Sequence, residues 1–135
     1  MKIRRGFVTN SSSSSFIIAR KGNVDKMRLG YELLNQTALN DIVNDFMKDT
    51  DSIEYFELSQ KVKNLIKNKD FDGVKKQLVK EFVDELVQRS SDMKLDDWDI
   101  SIGEASNETD NILDFFIYEL CSIDLEDFKI QTSFY

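Results

Sequence analysis

Seven carboxylates, Asp96, Asp97, Asp99, Glu104, Glu108, Asp110 and Asp114, crowd into one short stretch of the chain. Three kinds of chemistry are open to groups so placed. Carboxylate oxygens suit hard divalent cations. Two carboxyls can divide the acid and base roles of a hydrolase. A row of negative charges can also stand in for the phosphates of a nucleic acid and occupy a basic groove. The spacing fits no EF-hand loop, because the central Gly and the closing Glu are not at their offsets. Any acidic chain offers carboxylate pairs, so no residue here is marked as catalytic, none as a metal ligand, and no cofactor is implied. The tract reads as a charged partner-binding surface.

The elements that must position these residues follow from periodicity. From Asp97 to Gly103 apolar and polar residues alternate, which predicts a strand with Trp98, Ile100 and Ile102 on one face. Asn107–Asp110 offers turn and cap residues. The apolar run Ile112, Leu113, Phe115, Phe116, Ile117 and Leu120 then predicts a helix, and Phe128 to Phe134 alternates as a C-terminal strand. Upstream, the plainest signal is a helix over 72–89, where Val74, Leu78, Val79, Phe82, Val83, Leu86 and Val87 make a wide apolar stripe. Helices are also predicted over about 24–34, from a Thr37 cap through Met47, and from the acidic cluster at 49–51 to about Lys69. Phe16–Ala19 reads as a strand, and Ile3–Val8 as a weaker one.

The expected architecture is α+β: a small antiparallel or mixed sheet, with strands near 16–20, 97–103 and 128–134, covered by about five helices. Residues 1–135 read as one domain, with 1–15 as a mobile or hairpin N-terminal arm. The spacing of Trp98, Phe115, Phe116, Phe128 and Phe134 predicts core packing, whereas Tyr135 is expected to be exposed. Cys121 is expected to be a buried small hydrophobe.

Composition excludes several classes. The chain has no His and one Cys, so it cannot form an internal disulfide, a Ser-His-Asp or Cys-His catalytic centre, or a His- or multi-Cys-based metal site. No apolar run reaches the length of about 18 residues that marks a membrane span, and the basic N-terminus leads into serines rather than a signal-peptide core. The expected location is the cytoplasm. Charge is polarised: residues 1–28 carry net +6, residues 29–90 net −3 and residues 91–135 net −10, within an overall −7. This favours a basic partner for the C-terminal third and argues against direct nucleic-acid binding. It also leaves head-to-tail association of copies open, with the oligomeric state undetermined.

Serines 11–15 lack an activating base for nucleophilic chemistry and lack the glycines and terminal Gly-Lys-Ser/Thr of a phosphate-binding loop. They read as a polar linker. The run Lys2-Ile3-Arg4-Arg5-Gly6-Phe7-Val8-Thr9-Asn10, with Ser11–Ser15 and Phe16-Ile17-Ile18, resembles the opening of small uncharacterised proteins of bacteriophages and low-GC bacteria, in which a GFV-S/T-N-SSSSSF string begins otherwise dissimilar chains. The resemblance covers the first ~18 residues. It implies a phage or mobile-element origin and a bacterial host, and no residue role.

The resulting expectation is a non-enzymatic acidic binding protein that occupies the basic surface of a host protein, such as a nucleic-acid-binding or defence protein, with Asp96, Asp97, Asp99, Glu104, Glu108, Asp110 and Asp114 as its binding surface. The alternatives are a small Mg-dependent carboxylate hydrolase or nuclease, and a virion or structural interaction protein.

Overall fold

A computed structural model describes residues 13–134, apart from 49, 107 and 121. The order of elements is β1 (Ser13–Arg20), α1 (Lys26–Leu34), α2 (Thr37–Lys48), α3 (Thr50–Tyr55), α4 (Gln60–Lys67), α5 (Phe71–Gln88), β2 (Met93–Leu95), β3 (Trp98–Ser106), α6 (Ile112–Glu119), β4 (Ile123–Asp124) and β5 (Phe128–Phe134). The five strands form one antiparallel sheet in the order β2-β3-β1-β5-β4, with β1 at its centre. The fold is α+β, with the helices gathered on one face of the sheet.

The long helix α5 organises that layer. Asp70 caps its start by accepting from the Gly73 amide, and Val74, Leu78, Val79, Phe82, Val83 and Leu86 are buried along one stripe. The remaining helices and the inner side of the sheet close around it. Phe82 stacks on Phe116 at 4.6 Å between ring centroids, and Phe56 bridges Phe46 at 6.0 Å and Phe115 at 5.3 Å. Such offset and edge contacts add to the gain from burying the rings.

Several expectations are corrected. The serine run is not a linker throughout: Ser13–Ser15 belong to the central strand, paired with β3 on one side and, from Ser14, with β5 on the other. Ser14 is fully buried. Each serine still brings a backbone N–H and C=O to the ladder, and the small side chain of Ser14 fits the buried inner face. The helix expected from 49–51 to Lys69 is two helices, broken at Phe56–Ser59 because Ser59 caps α4 through the Val62 amide and the Glu57 amide donates to the Asp110 carbonyl. Helix α6 is capped by Asn111, just beyond the expected Asn107–Asp110 segment. The short strands β2 and β4 were not foreshadowed by periodicity. Ile3–Val8, Cys121 and Tyr135 lie outside the described residues, as does the side chain of Phe134.

Candidate functional site

The alternation in β3 is real, but its apolar side faces away from the helices. Ser101 and Ala105 are buried against the helical layer with Gly103 between them, while Trp98 and Ile100 are half-buried and Ile102 is 52% exposed on the opposite, uncovered face. Core packing for Trp98 is therefore corrected to a place on the open face, whereas Phe115, Phe116 and Phe128 are buried as expected. The reason lies in β1. The Phe16 ring fills the space over Gly103 so closely that a Cβ at residue 103 would meet Phe16 Cζ at 2.6 Å. With that volume occupied, the inward side of β3 must be small, and its large residues are left pointing outward.

Cross-strand neighbours share a face, so the register maps the open surface directly. One row runs Met93, Ile100, Ala19, Lys129 and Asp124 across all five strands. The next runs Ile102, Ile17 and Gln131, and Leu95 lies opposite Trp98. Ile17 is 50% exposed, Met93 50% and Leu95 61%. Apolar side chains thus cover β2, β3 and β1 continuously and give way to polar ones on β5 and β4. A clustered exposed patch of this kind is uncommon on a chain that already has a full core elsewhere.

The charges form its border. The Lys21 and Lys129 ammonium groups lie over the Trp98 ring at 5.0 and 5.8 Å from its centroid. Each is engaged by an aspartate as well, Lys21 by Asp97 at 3.6 Å and Lys129 by Asp124. Asp96 and Asp97 form the two-residue turn between Leu95 and Trp98, with Asp96 in the left-handed region at φ 58°, a conformation that Asp tolerates. Asp99 pairs with Lys94 at 3.5 Å across the same hairpin.

The fold does not gather the acidic tract into one cluster. Asp96, Asp97 and Asp99 sit at the hairpin end of β3. Glu104 stands on the open face toward the other end of the strand, which spans roughly 26 Å. Glu108 and Asp110 lie in the β3–α6 connection, and Asp114 is in the first turn of α6. Among the described residues, Asp96, Glu104, Glu108 and Asp110 form no ion pair.

Asp114 instead belongs to a polar groove of about 480 Å³ between the end of α5, the start of α6 and the edge of β3, lined also by Glu85, Arg89, Asp92 and Ser101. Burial pushes the Glu85 carboxyl above its ordinary range; Arg89, 3.5 Å away, opposes that shift and Asp114 adds to it. The groove is structurally tied down. Asp92 accepts from the Ile102 amide at 2.7 Å, Ser101 donates to the Ser90 carbonyl at 2.7 Å, and Arg20 donates to the Arg89 carbonyl. These bonds hold the α5–β2 connection against the sheet. Among the described residues no three acidic or cysteine side chains converge so as to hold a metal ion. Among them, too, no helix is long and apolar enough to cross a membrane.

Sequence reasoning missed Ile17, Met93, Leu95 and Glu85 as surface features. Ile17 lies in an apolar run whose two faces look alike, and β2 is too short to show a period. No protein-family model matches this chain, and neither the curated proteins nor the solved structures yield a match.

Proposed function

We propose that this is a non-enzymatic binding protein that docks through the open face of its sheet onto a partner protein whose apolar contact is ringed by Lys and Arg. The observation that carries this reading is the continuous apolar surface of Met93, Leu95, Trp98, Ile100, Ile102 and Ile17 on a sheet whose other face supplies the core. Burial of that surface supplies affinity, at roughly 25 cal/mol per Å² of apolar area before the costs of association. Asp96, Asp97 and Glu104 border it, Asp99 stands on the other side of β3 beside Lys94, and Glu108 and Asp110 lie in the β3–α6 connection; together they steer a basic partner by long-range attraction. Asp114, set back in the polar groove, contributes charge rather than contact.

A host-cell target fits the phage or mobile-element origin that the N-terminal string implies. Competition with nucleic acid for the same basic surface follows where the partner binds DNA or RNA, because both would occupy one site. Asp96, Asp97 and Glu104 sit at the rim of the apolar face, so the partner is expected to meet Ile17, Ile102, Met93 and Leu95 first, with Trp98 under Lys21 and Lys129 and the carboxylates at the edge.

Site-specific photocrosslinking in the host cytosol tests this reading. A photoreactive residue at Ile102 should capture a discrete protein, and capture should fall as salt rises. The same probe at Lys63, exposed on α4, should not capture it. Equal capture at the two positions, or none at Ile102, would contradict the proposal.

A further inference from the structure

A second surface, on the helical side of the molecule, has the opposite character. Helices α1 and α5 pack antiparallel: Lys26 meets Asp84 at 3.7 Å, and Gly30 lies against Val79 farther along. Between them runs a groove of about 330 Å³ floored by Gly30, Leu34, Val79 and Val83. A further depression, sharing Leu34 and Lys76 with it, continues toward the start of α5. On the α1 rim stand Met27, 87% exposed, and Tyr31, 66% exposed, one helical turn apart. On the α5 rim stand Lys75, Lys76 and Lys80, with Lys26 opposite. Against these four cations the two depressions hold two acids, Asp72 and Asp84. A basic rim on a chain of net charge −7 is a local reversal of sign.

We infer that the α1/α5 groove receives an acidic amphipathic helix of a partner protein. Two helices already form its walls, so a third helix completes a three-helix contact and covers Met27 and Tyr31. The nine residues of α1 give the groove a length of roughly 14 Å, which accommodates two to three turns. The occupant presents apolar residues at i and i+4 to the floor and to Met27 and Tyr31, and Asp or Glu on its flanks to Lys26, Lys76 and Lys80. Gly30 keeps the floor open. A Cβ there would stand 3.6 Å from Val79 Cγ1, an ordinary contact, so a larger side chain could enter the groove without moving the backbone. This surface is separate from the open sheet face and does not depend on the function proposed for it.

The test uses two synthetic helical peptides that share leucines at i, i+4 and i+7, one flanked by Glu and the other by Lys, titrated against the full chain by fluorescence anisotropy. The Glu peptide should bind, and the Lys peptide should bind at least ~10-fold more weakly. Gly30→Leu fills the groove and should abolish binding without lowering the melting temperature, because Leu is also the better helix former. The exposed pair Lys76→Gln and Lys80→Gln should weaken binding by roughly tenfold and flatten its salt dependence, and it decides the matter should Gly30→Leu fail to fold. The inference is overturned if neither peptide binds, if both bind equally, or if folded Gly30→Leu binds as the parent does. A self-association that Gly30→Leu abolishes would assign the groove to a second copy. Binding of phosphatidylglycerol vesicles through it, with neither peptide bound, would assign it to a lipid surface.

Discussion

The two faces belong to one five-stranded sheet, yet they obey different constraints. On the inner face Phe16, Ile18, Phe128 and Ile130 are buried under the helices, and small residues of β3 make room for them. On the outer face Ile17, Ile102, Met93 and Leu95 are at least half exposed, and nothing in the chain's described residues covers them. The inner residues are fixed by one another's volumes. The outer ones meet only one another across the strands, and no described helix packs over them, which is why their apolar character points to a contact outside the described fold. Alternation along a strand therefore says that two faces differ without saying which is the core.

The contrast can be broken at its tightest point. Gly103→Val places a Cβ against the Phe16 ring and should cost ~1–3 kcal/mol, read as a fall in the denaturant midpoint. A loss below ~0.5 kcal/mol would mean that the inner face is not packed as described. A smaller effect sharpens the account at the groove beside β3. Glu85 holds its proton more tightly in the folded chain than its ordinary value of 4.5, so its protonated form favours folding below that pH. That contribution is lost as pH rises through the raised folded value. Glu85→Gln should remove this loss, so the melting temperature of the variant relative to the parent should climb as pH rises above 4.5. A constant difference across that range would show that burial does not govern this carboxyl.

Much of the fold was legible because its signals are local. The C-terminal strand appears at 128–134 as its alternation indicates, and α5 follows from a stripe that only a helix brings to one side. Other features depend on partners distant in sequence. Nothing near Ser13–Ser15 shows that three serines will lie in the central strand, because that is set by pairing with Glu104–Ser106 and β5. The break at Phe56–Ser59 carries neither Gly nor Pro, and is made by Ser59 and by the bond from Glu57 to Asp110. The direction in which Trp98, Ile100 and Ile102 face depends on Phe16 lying over Gly103. For the candidate site, the acidic residues were visible as types, whereas the apolar surface they border was hidden by strand parity.

The central claim is that the outer face serves contact with a partner rather than the fold. The most direct test is the double variant Ile17→Lys and Ile102→Lys, measured for both stability and binding to the protein crosslinked through residue 102. Both side chains are half exposed and directly opposite one another, so their loss should cost ~1 kcal/mol or less each in stability. Binding should fall by at least ~10-fold. Unchanged binding by the folded variant, or unfolding in place of lost binding, would contradict the account.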